Sequence, residues 1–73
     1  MIQIHDYVAV LENIKKTPIT RGTTGTVVSK LSDADFLVEF SDGDGQVYDE
    51  IPLHRDNLLV LHTVEANLEV ANH

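Results

Sequence analysis

The residues of this chain most able to do chemistry are its four histidines and twelve carboxylates, and their spacing decides how much they can do. His5, His54, His62 and His73 form no pair at the i, i+2 or i, i+4 spacing of common metal-binding pairs. A zinc site needs three or four convergent ligands, and the sequence proposes none. His54, in "PLHRDN", is expected to shape a turn. The "DGDG" stretch carries Asp42 and Asp44, with Asp49 and Glu50 beyond it. It does not keep the register of an EF-hand loop, which needs a third acidic position, a central Gly and a bidentate Glu at its twelfth residue. A hairpin turn accounts for its glycines. Nucleophilic catalysis needs a base held by a third group, and glycoside hydrolysis needs two carboxylates in a cleft. Here the carboxylates fall on short strands and turns of a unit too small to enclose a substrate. Gly22-x-x-Gly25 lacks the Lys and the following Ser or Thr of a phosphate loop. The expectation is therefore no catalytic residue, no cofactor and no metal: not an enzyme.

Binding is what remains, and the charges are segregated. Five Lys and Arg stand against twelve Asp and Glu, a formal charge of −7. Attachment to a phosphate backbone depends on cations displacing counterions, so this balance argues against nucleic acid as the partner. Between Lys30 and Arg55 lie seven acids and no basic residue: Asp33, Asp35, Glu39, Asp42, Asp44, Asp49 and Glu50. Lys15, Lys16 and Arg21 gather in one stretch without an acid. The plain reading is a soluble surface with one basic loop. The functional reading makes Lys15, Lys16, Arg21, Asp42, Asp44, Tyr48 and Glu50 partner-binding residues. Tyr48 is placed on the face opposite Val47 and Ile51, and exposed tyrosine suits an interface anchor; simple edge packing is its alternative.

Positioning these residues falls to a small unit. Seventy-three residues make one domain, near the lower size limit for folding without a staple. There is no cysteine, which fits a reducing, cytoplasmic location. No apolar run approaches the ~20 residues of a membrane span, and "MIQIHDY" lacks the basic and apolar regions of a signal peptide.

The apolar pattern comes in short alternating runs separated by turn residues, as in all-β domains. The first strand is "DYVAVLE". A loop, "NIKKTPITRGTT", follows, in which Pro18 cannot donate to a ladder and Gly22 can take a positive φ. The second strand is "GTVVSKL", with Gly25 expected to let the backbone turn sharply and Val27 to enter the core. The third, "FLVEF", puts Phe36, Val38 and Phe40 on one face. The "SDGDG" hairpin leads to "QVYDEIPL", where Val47, Ile51 and Leu53 share a face and Asp49 is the odd member. Pro52 marks an end, bulge or edge. "HRDN" reads as a tight or 3₁₀ turn and "LLVLH" as a fifth strand. The expected fold is all-β, a small five-stranded antiparallel SH3-like barrel over residues 1–61. Its expected core is Val8, Val10, Val27, Phe36, Val38, Phe40, Ile51, Leu58 and Val60. Residues 62–73 form a C-terminal tail, read either as disordered or as a short helix that aligns Leu61, Val64, Leu68 and Ala71.

The segments "DYVAVLENI", "RGTTGTVV" and "FLVEFSDGDGQVYDEIPLHRDNLLVL" together resemble a family of small bacterial, often cyanobacterial, proteins classified as a domain of unknown function. The resemblance covers residues 6–61 and leaves the tail outside. It implies an SH3-like fold, offers no catalytic residue, and hints at a protein partner, since members are similar in size to accessory, antitoxin or immunity-type proteins and some appear beside another small gene product. "GTVV" is also similar to the strand entry of RNA-binding barrels, but acids stand here where those carry basic loops and exposed aromatics. The functional expectation is a cytoplasmic protein-interaction module docking to one protein partner with a basic surface, an antitoxin or immunity-type component being one form of it. The alternative is an accessory or structural subunit of a larger assembly. A third reading, nucleic-acid binding through the basic loop, ranks below both. No membrane partner is expected, and a homo-oligomer is compatible with the sequence.

Overall fold

The computed structural model of the protein describes residues 1–61. The expected tail, residues 62–73, lies outside the described residues. Five strands follow in chain order: β1 (Tyr7–Val10), β2 (Thr24–Lys30), β3 (Asp35–Ser41), β4 (Val47–His54) and β5 (Leu58–Val60). A single 3₁₀ turn, Arg55–Asn57, separates β4 from β5. All pairings are antiparallel, in the order β4-β3-β2-β1-β5, so the all-β, five-stranded reading holds.

The sheet does not close into a barrel through its ladders, because β4 and β5 are its two edges. The 3₁₀ turn ties the two ends together instead. Arg55 N–H donates to Ala34 O before β3, and Leu11 N–H after β1 donates to Asn57 O. His54 caps this turn: its Nδ1 accepts from Asp56 N–H at 3.0 Å, which is the turn-shaping role expected of it. Asp56 Oδ2 lies 3.5 Å from the same His54 nitrogen.

Alternation buries one face of the sheet. Val8, Val10, Val27, Phe36, Val38, Phe40, Leu53 and Leu58 form one cluster with Ile19, and Ile2, Ile14, Ile51 and Val60 pack against it. Seven of the nine expected core residues are thus fully buried, while Ile51 and Val60 stand at the rim. The two unexpected members are Leu53 and Ile19. Ile19 belongs to the long β1–β2 connection, residues 11–23, and is only 1 % exposed. That connection is built rather than slack. Ile14 N–H donates to Ile19 O, the Thr17 hydroxyl donates to Ile14 O and accepts from Ile19 N–H, and Asn13 Oδ1 accepts from Arg21 N–H. Gly22 has the expected positive φ, +90°.

Gly25 plays a part different from the one expected. It lies inside β2 at a buried position, opposite Val8, and does not turn the chain. A Cβ there would stand 2.8 Å from Glu39 O, 2.8 Å from Val38 Cγ1 and 2.9 Å from Phe40 Cδ1. Glycine is present because β3 passes too close for any side chain.

Two irregularities bend the sheet. The β2–β3 register shifts between Val27 and Ser29, leaving Val28 as the extra residue, and the β3–β4 register shifts between Phe40 and Ser41. Such bulges increase local twist, which lets one apolar sheet face fold over itself.

Candidate protein-docking face

The β3–β4 hairpin is built from its turn outward. Gly45 N–H donates to Asp42 O at 3.0 Å, and Gly45 has φ +80°, so a four-residue turn ends in a left-handed glycine. Asp42 holds this turn with its side chain, Oδ1 accepting from Asp44 N–H at 2.9 Å and from Gln46 N–H at 3.0 Å. Asp42 is therefore a turn residue first. Asp44, exposed at the tip, makes no side-chain bond among the described residues.

The bulge after the turn reverses which residues face outward. Ser41 pairs with Val47 and Phe40 with Asp49, so Tyr48 is the extra residue. Phe40, Val38 and Phe36 point inward, and their partners Asp49, Ile51 and Leu53 therefore take the inner face. Val47, expected beside Ile51 and Leu53, stands instead on the outer face with Ser41 and is 46 % exposed. Tyr48 accordingly cannot lie opposite both Val47 and Ile51, as the alternation suggested. As the bulge residue it is 46 % exposed and free of packing that would bury it.

On the outer face, Glu39 lies directly opposite Glu50. Like charges directly opposed across a ladder destabilise it. No cation comes within ion-pair distance of either among the described residues. Glu39 was not among the expected binding residues. Counting back from the turn without the bulge would have paired it with Asp49.

The free edge of β4 has its own chemistry. Pro52, opposite Leu37, has no N–H, so its position is one whose backbone nitrogen faces away from β3. Two residues earlier, Glu50 faces the same way, and its N–H is taken by Asp49 Oδ1 at 2.9 Å. The edge thus offers carbonyl acceptors at these two positions and no free donor.

The hairpin gathers Asp42, Asp44, Tyr48 and Glu50 with Val47 and Glu39. The structure places Lys15, Lys16 and Arg21 elsewhere, exposed on the β1–β2 connection. The other two cations, Lys30 and Arg55, line a shallow recess with Met1, Ile2, Asp33 and Phe36. Lys30 lies opposite Phe36 in the register and reaches Asp33 at 3.8 Å. Among the described residues no three or more His, Cys, Asp or Glu side chains stand close enough to hold a metal ion. No described helix is long and apolar enough to cross a membrane.

A family model described as Domain of unknown function (DUF4926) matches residues 4–60, most of the chain and all five strands. The chain belongs to the DUF4926 family. No curated protein and no solved structure matches it. The DUF4926 match begins before β1, ends with β5, and so leaves the last thirteen residues, 61–73, outside the family pattern.

Proposed function

We propose that this domain is a protein-docking module which receives a partner with a basic surface on the outer face and tip of the β3–β4 hairpin. The observation that carries the reading is the Glu39–Glu50 pair. The fold alone gives no reason to set two unneutralised carboxylates opposite each other, and a basic partner does. Val47 and Tyr48 supply exposed apolar area beside the charges, and Asp44 extends them to the tip. Charges so arranged steer encounter and fix register more than they raise affinity.

In this reading the domain is SH3-like, supported by its strand order and by the 3₁₀ turn before the last strand. It acts in a reducing bacterial cytoplasm, in keeping with a chain free of cysteine, and an antitoxin or immunity-type component is one form such a module takes. It works by binding and carries no catalytic group of its own.

The test begins with capture of the native partner from the source cell by the full chain. Association of the purified pair is then measured by stopped flow over a range of salt. Glu39→Gln with Glu50→Gln should slow association and flatten its salt dependence, whereas Asp42 is kept because it holds the turn. An unchanged rate and slope, or a partner whose contact surface is acidic, would overturn the reading.

A further inference from the structure

The acidic run of the sequence is bracketed by two cations, Lys30 and Arg55, and the fold brings this pair to one place. Both line a recess of about 280 Å³ beside the β2–β3 turn, at the opposite end of β3 from the acidic hairpin turn. Lys30 lies opposite Phe36, so its stem starts on the inner side of the sheet and its half-exposed ammonium end emerges at the rim. Arg55 is fixed there through its backbone, whose N–H donates to Ala34 O at 2.7 Å. Phe36 and Ile2, both packed in the core cluster, supply the apolar lining, and the exposed Met1 side chain stands beside them. Neither cation is tightly paired. Lys30 reaches Asp33 at 3.8 Å and Arg55 Nε reaches Asp56 Oδ1 at 3.9 Å, both beyond hydrogen-bond length and both on exposed carboxylates.

We propose that this recess receives the C-terminal residue of a partner polypeptide, its apolar side chain against Phe36 and Ile2 and its terminal carboxylate at Arg55 and Lys30. Charge complementarity selects an anion, and the form of the Arg55 guanidinium selects a planar one: its fork of donors matches the two oxygens of a carboxylate. Asp33 and Asp56 stand close to the two cations and would repel a doubly charged phosphate more than a singly charged carboxylate. Size selects a chain end over a free small molecule. A small ligand needs most of its surface enclosed, and the recess falls just below the ~300–1,000 Å³ of ordinary ligand pockets. It has room for one side chain and its carboxylate, while the residues before them add contacts outside it. This inference does not depend on the docking function of the hairpin. From Asp35 to Ser41, β3 spans about 20 Å, with the recess near one end and the acidic turn beyond the other.

The probe is N-acetyl-glycyl-glycyl-leucine with a free carboxylate, titrated into the ¹⁵N-labelled full chain. Saturable shifts of the Ile2, Phe36 and Arg55 amide signals are expected, with a dissociation constant on the order of a millimolar. The same peptide with an amidated C-terminus, or with glycine in place of leucine, should bind about tenfold more weakly. Lys30→Gln with Arg55→Gln, both exposed side chains, should cause the same loss while the rest of the spectrum keeps the native pattern. Lys15→Gln with Lys16→Gln should cause none. 4-Methylpentanoate, which keeps the side chain and carboxylate of leucine without a peptide group, should bind less tightly than the peptide. Absence of saturable shifts at Ile2, Phe36 and Arg55, equal binding of the amidated peptide, or a loss that follows Lys15 and Lys16 instead would overturn the proposal. Tighter binding of 4-methylpentanoate would make the recess a site for free small acids, and would overturn the chain end as its occupant.

Discussion

Glu39 and Glu50 oppose each other across the β3–β4 ladder on the outer side of the sheet, while their neighbours Val38 and Ile51 oppose each other on the inner side. Stability and recognition therefore meet at one register position. Glu50→Lys replaces a repulsive pair by an attractive one and should stabilise the domain by roughly 0.5–1 kcal/mol, an effect that salt reduces. Urea denaturation at low and high salt checks this. A loss of stability would show that the outer face needs both carboxylates for a reason within the fold.

Gly25→Ala tests the close approach of β3. The added methyl meets Glu39 O, a backbone atom that can move only with its strand, and two buried side chains. Destabilisation of about 1–3 kcal/mol or more is expected, as for overpacking of a tight core. A change below about 0.5 kcal/mol would mean that the strands separate at little cost, and the cause assigned to this glycine would be withdrawn.

Ile19→Ala measures whether the long connection is part of the core. A fully buried isoleucine cut back to alanine costs about 2–5 kcal/mol, whereas an ornamental loop would lose far less. The measured loss should be comparable to that for Phe36→Ala, expected at about 3–5 kcal/mol. A loss below about 1 kcal/mol for Ile19 alone would detach the loop from the folding unit.

Asp42 is tested by a pair of variants. Asp42→Ala removes the acceptor of two backbone N–H groups and should cost about 1–2 kcal/mol. Asp42→Asn keeps an acceptor oxygen and should recover most of that loss. Equal losses for the two variants would assign the effect to charge rather than to the turn.

The strands were legible because alternation and turn chemistry agreed: Phe36, Val38 and Phe40 fixed the inner face of β3, and the Asp-Gly run fixed its turn. What was not legible depended on atoms remote in sequence. Tyr48 as the bulge residue cannot be read from "QVYDEIPL", because a bulge changes parity without changing composition. The resulting shift moved Val47 out and aligned Glu39 with Glu50. An anomaly was nonetheless visible: Asp49 broke an apolar set that included Val47. Ile19 stood alone between Pro18 and Thr20, with no periodic partner to mark it as core. Gly25 was recognised as special, but only the passage of β3 reveals that space, not φ, is the constraint.

The edge of β4 has a consequence for crowding. Growth of a fibril by strand stacking requires each new strand to exchange donors and acceptors with the last. At Glu50 the donor is occupied by the neighbouring Asp49 carboxylate, and at Pro52 it does not exist. A second copy arriving at this edge would find acceptors and repelling carboxylates, but at these two positions no N–H with which to pair. The longest strand of the sheet is thus a poor template for polymerisation. Strand-by-strand addition of copies through the β4 edge is disfavoured at Glu50 and Pro52.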